Sequence, residues 1–238
     1  TYPSLAGGLF LDYADQLRMN GFTLPRRVPL YTESGIPYVY PPAQFYLLGL
    51  LQTVGIGWNI IALWLPSIYL LLTGAGAYTL AVQRDLSRLG GMIAGSLVVA
   101  SPSVLHFFIS AGGTVRTASV VVSLFALVTL HAAFRSMSRI AWSGATLLGS
   151  ITVASHPITA LFYLSGALGL FAQYGREKEA IKYSLGASIA AFLLTSPWWF
   201  TAVNYHGIET VLSATGTHGG LGQGPSVSIL IDRVSPIY

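Results

Sequence analysis

The chain divides into a turn-rich beginning and a series of apolar, sparsely charged runs that starts at residue 58. A helix needs about 20 consecutive apolar residues to cross the hydrocarbon core of a bilayer. The runs approach this length and are separated by short polar connectors, so they predict six spans: 58–83, 89–109, 114–134, 140–155, 157–174 and 180–203. Pro102 can end the second span early. The expected fold is therefore all-α, a polytopic membrane helix bundle with a six-helix transmembrane region at 58–203.

The first 57 residues contain two short helical patterns instead of a span. Residues 9–20 place their apolar side chains on one helical face, and residues 42–54 begin with a proline, which suits a first helical position. Twelve residues rise only about 18 Å, so these helices are expected to lie at the membrane interface. Residues 1–57 are thus predicted to form an outer loop with interfacial helices. The polar, glycine-rich residues 204–238 are predicted to start a second outer loop.

The composition favours a membrane protein, and the charges assign its two sides. Only 8% of the residues are charged, whereas a soluble domain carries about 25%. Basic residues concentrate in alternate connectors: Arg84, Arg88, Arg135, Arg139, Arg176 and Lys178. Because basic loops stay in the cytoplasm, residues 1–57 and 204–238 are expected outside the plasma membrane. The net charge of +4 therefore does not indicate a nucleic-acid partner; the expected partner is the lipid bilayer.

The chain has no single motif that is specific for one function, but it contains several short stretches whose order along the chain is informative. The chain has no Walker loop, GxGxxG motif, HExxH motif or cysteine. It does contain, in order, FLDYA (10–14), GFTLP (21–25), YPP (40–42), LWLPS (63–67), SP (101–102), HP (156–157) and PWW (197–199). This order resembles the front half of the GT-C class of integral-membrane glycosyltransferases. Within that class, the pattern is similar to those of the lipid A aminoarabinose transferase and the protein mannosyltransferases.

The resemblance implies an activity and a catalytic residue. The activity is transfer of a sugar from a polyprenyl-phosphate donor to an acceptor on the outer membrane face. Asp12 matches the family's acidic residue in the first outer loop, and as general base it would remove the acceptor proton. Tyr13 stands where the family often has a glutamate, and Arg116 where several members have an acid, so participation of a divalent metal is left open. The resemblance also implies that the chain is the N-terminal half of a longer protein.

Four further residues are candidates for substrate binding. Arg116 follows two glycines at the start of a span, where free N–H groups and a guanidinium form an anion site for the lipid phosphate; the alternative is contact with ordinary headgroups. Asp15 lies one turn from Asp12 and can either share a divalent ion with it or form a solvated helix edge. His156, between two spans, can contact substrate or a metal, or it can be structural. Tyr40 can stack on a sugar ring or simply lie at the interface.

A transporter or a non-catalytic polytopic protein is the alternative to a transferase. Ion-coupled transporters carry ionisable residues in the middle of the membrane and have matching halves. All eight acidic residues lie outside the predicted spans, and no internal repeat is visible. The polar residues gather at one face instead, which favours an enzyme that acts at the membrane surface.

Overall fold

The computed structural model describes residues 7–29, 33–109 and 113–216. This part of the chain is helical apart from one two-stranded ribbon, which confirms the predicted all-α fold. The helices are α1 (Gly7–Met19), α2 (Ala43–Thr53), α3 (Trp58–Gln83), α4 (Arg88–Ala100), α5 (Pro102–Ile109), α6 (Gly113–Ser136), α7 (Arg139–Val153), α8 (Pro157–Tyr174), α9 (Lys178–His206) and α10 (Ile208–Gly216). The strands β1 (Arg27–Val28) and β2 (Ile36–Pro37) pair antiparallel, with Arg27 opposite Pro37 and Val28 opposite Ile36.

Three of the described helices are long and apolar enough to cross a membrane, which indicates a membrane protein. They are α3, α6 and α9, with 26, 24 and 29 residues, and they correspond to the spans predicted at 58–83, 114–134 and 180–203. Helices α4, α7 and α8 have 13, 15 and 18 residues. At 1.5 Å per residue they rise about 20, 22 and 27 Å, which is less than a hydrocarbon core of about 30 Å. The described helices therefore support three spans and not the predicted count of six.

The second predicted span is divided between two helices. Helix α4 ends at Ala100 and α5 begins at Pro102, with Ser101 extended between them (φ −64°, ψ 122°). A residue before proline avoids the helical conformation, and proline lacks the N–H that would continue the helix. The prediction of one continuous helix at 89–109 is therefore wrong, whereas Pro102 as its early end is confirmed.

Glycines bring α3 and α4 into close contact. Gly91 and Gly95 lie one turn apart on α4, and both are buried. A Cβ atom on Gly95 would lie 2.7 Å from the carbonyl oxygen of Gly74 on α3, closer than real Cβ atoms approach. Membrane helices use small residues at this spacing to bring their backbones together. The α3–α4 interface is therefore of the kind found between membrane helices.

Helix α6 is the centre of the bundle. It packs against α3, α7 and α8, and most of it is buried, whereas α3 and α9 expose most of their surface. Helix α7 contacts both α8 and α9. The N-terminal segment packs over the beginning of α6, where Val115 joins an apolar cluster with Phe10, Tyr13 and Phe45. That end of the bundle contains most of the candidate residues.

Candidate functional site

Helix α1 turns an apolar face towards the rest of the N-terminal segment. Phe10, Tyr13, Ala14 and Leu17 are all buried. Their spacing of three and four residues places them on one side of the helix. The helix and its buried face agree with the pattern predicted at 9–20. Helix α2 packs on this face through Phe45, so the two short helices form one unit.

An aromatic cluster forms where α1, α2 and the segment after β2 meet. It consists of Phe10, Tyr13, Tyr38, Tyr40 and Phe45. The ring centroids are 4.8 Å apart for Tyr13 and Tyr38, 5.1 Å for Tyr13 and Phe45, and 5.2 Å for Phe10 and Tyr40, which are favourable distances for aromatic pairs. Burial raises the pKa of Tyr13 to about 12 and raises the pKa of Tyr38 and Tyr40 well above the ordinary value. These three phenols are therefore neutral at physiological pH.

The β1–β2 ribbon positions the two tyrosines that follow it. Gly35, before β2, has φ +72°, a conformation that favours glycine. Arg27 closes the ribbon, since its Nη1 donates to the carbonyl oxygens of Ser34 at 2.8 Å and Gly35 at 3.0 Å. The chain leaves β2 directly into Tyr38 and Tyr40, so the ribbon directs both rings towards α1. The five prolines at positions 25, 29, 37, 41 and 42 favour an extended or turning backbone here, but they do not specify this pairing.

The turn between α7 and α8 holds the N-terminal segment on the bundle. Gln44 Nε2 donates to Ser155 Oγ at 2.8 Å, and both residues are buried. The first backbone N–H of α2 donates to a carbonyl of the same turn at 2.8 Å. The ring of Tyr40 meets the edge of His156, with centroids 6.0 Å apart. His156 therefore packs against the aromatic cluster, which joins two of the predicted candidates.

Arg116 lies in the first turn of α6, at the same end of the bundle. The preceding residue, Val115, is fully buried in the apolar cluster. The charge of Arg116 is near enough to lower the pKa of Tyr40, although the opposing effect of burial is larger. A guanidinium beside the N–H groups of a helix N-terminus is well suited to bind a phosphate. The structure therefore places Arg116 near Tyr40, and Tyr40 against His156.

The two candidate carboxylates of α1 have different surroundings. Asp15 Oδ1 accepts hydrogen bonds from Arg18, at 2.7 Å from Nη2 and 3.2 Å from Nε. Asp12 is partly buried, and within the described residues its carboxylate forms no hydrogen bond or ion pair. The structure therefore separates the two acids: Asp15 is paired with Arg18 at the helix edge, and Asp12 is not part of that pair.

A divalent metal does not fit the Asp12–Asp15 pair as it is arranged here. The Asp15 carboxylate is already neutralised by Arg18, at 31% side-chain exposure. Across the described ranges, no three His, Asp or Glu side chains lie close enough together to hold a metal ion. The alternative for Asp15, an edge residue of the helix, agrees with the observed contacts.

Sequence reasoning missed two features of this site. The Gln44–Ser155 hydrogen bond joins residues 111 positions apart, and no local pattern indicates such a contact. Tyr38 is 2% exposed, and among the described residues its hydroxyl has no hydrogen-bond partner. The only signal for Tyr38 was its place in a tyrosine-rich stretch, where an interfacial role needed no further explanation.

Comparison of the chain with protein-family models, curated proteins and solved structures gives no match.

Proposed function

We propose that the protein is a membrane glycosyltransferase that moves a sugar from a polyprenyl-phosphate donor to an acceptor on the outer membrane face. The observation that supports this most strongly is that Tyr40 packs against His156 and lies near enough to Arg116 for that charge to affect it. Helix α1, which bears Asp12, packs on the same aromatic cluster through Phe10 and Tyr13. A cation for phosphate, aromatic rings for a sugar and a carboxylate for a proton are the groups that this reaction needs.

Asp12 is the general base. An acceptor hydroxyl or amine attacks the anomeric carbon of the donor and gives its proton to the Asp12 carboxylate. As the new bond to the anomeric carbon forms, the bond from that carbon to the phosphate oxygen breaks. The polyprenyl phosphate leaves with the bonding electron pair. Positioned bases of this kind contribute about 10²–10⁴-fold to the rate.

Arg116 binds the phosphate of the donor. A cation at a helix N-terminus is opposed by the helix dipole, so a bound anion would relieve an unfavourable arrangement. The planar guanidinium can form two parallel hydrogen bonds to phosphate oxygens. It also stabilises the charge that develops on the leaving phosphate, which assists bond breaking.

Tyr40 and His156 form the wall against which the sugar rests. The Tyr40 ring contacts Phe10, Phe45 and His156, so its orientation is fixed from several sides. A fixed aromatic ring offers an apolar face for the C–H groups of a sugar at little entropic cost. Asp15 lies outside this set, since its carboxylate is paired with Arg18.

The proposed topology places this site at the outer surface of the plasma membrane. Six spans between residues 58 and 203 put the basic connectors in the cytoplasm. The segments 1–57 and 204–238 then lie outside, the first with interfacial helices. For the short helices α4, α7 and α8, local thinning of the bilayer or snorkelling of flanking residues would make up the missing length.

The test is sugar transfer by the full-length protein in proteoliposomes. A polyprenyl-phosphate sugar labelled in the sugar is supplied together with a membrane extract as the source of acceptor. We expect labelled acceptor and free polyprenyl phosphate in equal amounts. Protein-free liposomes with the same extract are the control. Passage of labelled donor or sugar across the membrane without release of polyprenyl phosphate would refute the transferase and favour the transporter.

A further inference from the structure

A second feature is a cleft of about 580 Å³ between α7, α8 and α9, with α6 as its floor. This volume lies within the range of about 300–1,000 Å³ that is usual for ligand sites. Its walls are mainly apolar, and some of them are open to the surroundings: Leu168 is 67% exposed, Leu185 61% and Phe192 59%. In a membrane, these side chains face lipid.

The length of the cleft suits a single extended hydrocarbon chain. On α9 its lining runs from Ile181 to Thr195, which is a rise of about 21 Å. One leaflet contributes about 15 Å of hydrocarbon, half of a core of about 30 Å. An acyl chain that lies along α9 can therefore remain in the cleft over its full depth.

One end of the cleft contains polar hydrogens that have no partner. Trp142, on α7, is 4% exposed and lines the cleft, and its ring stacks on Tyr183 with centroids 5.7 Å apart. Its buried Nε1–H donates to no group in the described part of the chain, and the Ser184 hydroxyl across the cleft has no partner there either. In hydrocarbon, an unsatisfied donor is costly. A ligand with an acceptor oxygen at this depth would satisfy both groups.

The same end of the cleft is rich in positive charge. Five basic residues lie near it, namely Arg135, Arg139, Arg176, Lys178 and Lys182, against the two acids Glu177 and Glu179. Arg139 begins α7 and lies one turn, about 5 Å, from Trp142. An ester or phosphate oxygen near Trp142 would therefore have a basic surface just above it.

We propose that the cleft binds an anionic glycerophospholipid, with one acyl chain along α9, an ester oxygen at Trp142 and Ser184, and the charged headgroup at the basic end. This choice follows from the charge of the rim and from the position of the unpaired donors between the apolar cleft and that rim. A neutral phospholipid has the same chains and esters but lacks the net negative charge. The site does not depend on the proposed transferase activity.

Fluorescence quenching by brominated lipid tests the site directly. The protein has five tryptophans, so a variant of the full chain that keeps Trp142 and carries Phe at positions 58, 64, 198 and 199 reports on the cleft alone. It is reconstituted in vesicles of phosphatidylcholine with increasing fractions of dibromo-phosphatidylglycerol. The reverse series uses dibromo-phosphatidylcholine in the presence of unbrominated phosphatidylglycerol. We expect quenching by the brominated anionic lipid to saturate at a low mole fraction, and little quenching in the reverse series.

Three substitutions in the same background separate the parts of the site. Ser188→Phe fills the mouth of the cleft and should abolish the saturable quenching, whereas Ser165→Phe, on an exposed position of α8 outside the cleft, should not. Arg139→Gln should weaken the preference for the anionic lipid roughly fivefold, the usual effect of one basic residue near a charged membrane surface. Equal, unsaturable quenching by both lipids would overturn the proposal. An equal loss of the saturable quenching with Ser165→Phe and with Ser188→Phe would also overturn the proposal.

Discussion

The hydroxyl of Tyr38 offers a test in which removal of a polar group should stabilise the protein. Tyr38 is 2% exposed, its ring packs on Tyr13 with centroids 4.8 Å apart, and among the described residues its hydroxyl has no partner. A buried polar group without a hydrogen bond costs about 1–3 kcal/mol. Tyr38→Phe removes only that group and keeps the ring contacts. We therefore expect the free energy of unfolding to increase by about 1 kcal/mol or more.

Tyr46→Phe is the matched control, because the same atom is removed from a hydroxyl that is hydrogen-bonded. Tyr46 Oη donates to the carbonyl oxygen of Phe22 at 3.1 Å and thereby fastens α2 to the turn after α1. Loss of an ordinary hydrogen bond costs about 0.5–1.5 kcal/mol. The two substitutions should therefore change stability in opposite directions.

Thermal unfolding of the purified protein in detergent micelles, followed by near-ultraviolet circular dichroism, measures both effects. For a chain of this size, 1 kcal/mol corresponds to a change in Tm of about 2–4 °C. We expect Tyr38→Phe to raise Tm by about that amount and Tyr46→Phe to lower it similarly. If Tyr38→Phe lowers Tm as much as Tyr46→Phe does, the Tyr38 hydroxyl is hydrogen-bonded in the folded protein, and the reasoning from its burial is wrong.

Three further predictions concern donor binding, helix packing and topology. Arg116→Ala should weaken binding of a polyprenyl-phosphate sugar roughly ten- to hundredfold in a titration, and Arg116→Lys should restore only part, because the planar fork is lost. Gly95→Ala should lower the free energy of unfolding by about 1–3 kcal/mol in a thermal melt, because its Cβ would lie 2.7 Å from the backbone of α3. Gly144→Ala on α7, where the space around the glycine is open, should raise the free energy of unfolding by about 0.5–1 kcal/mol. In intact cells, a membrane-impermeant thiol reagent should label Glu33→Cys and not Leu86→Cys; the opposite result contradicts the orientation.

The sequence predicts the helices well wherever local physics decides their bounds. Helix α3 agrees with its prediction at both ends, because an uncharged run follows Gly57 and stops at Arg84. The end of α4 can also be predicted from the sequence, because Pro102 lacks the N–H that would continue the helix. Periodicity cannot show that α4 is shorter than a bilayer core, because the apolar run continues beyond Ala100.

The arrangement of the candidate site is less visible in the sequence. Arg116 and His156 were predicted from a glycine-preceded span and a proline-bounded connector, but nothing local indicates that Tyr40 packs against His156. That contact depends on the β1–β2 ribbon and on the bond from Gln44 to a turn 111 residues away. Tertiary packing, and not residue propensity, fixes such distances. The difference between Asp12 and Asp15 likewise depends on the side-chain pairing with Arg18.

The most direct test of the proposed mechanism compares Asp12→Asn with Asp15→Asn in the sugar-transfer assay, with donor binding measured separately. Asp12→Asn keeps the size of the side chain but removes its basicity, so we expect turnover to fall about 10²–10⁴-fold with donor affinity unchanged. Asp15→Asn, three residues along the same helix, loses only a partly exposed ion pair, worth at most about 1 kcal/mol, and turnover should stay near that of the wild type. Wild-type turnover by a folded Asp12→Asn protein would contradict the assignment of Asp12 as the general base.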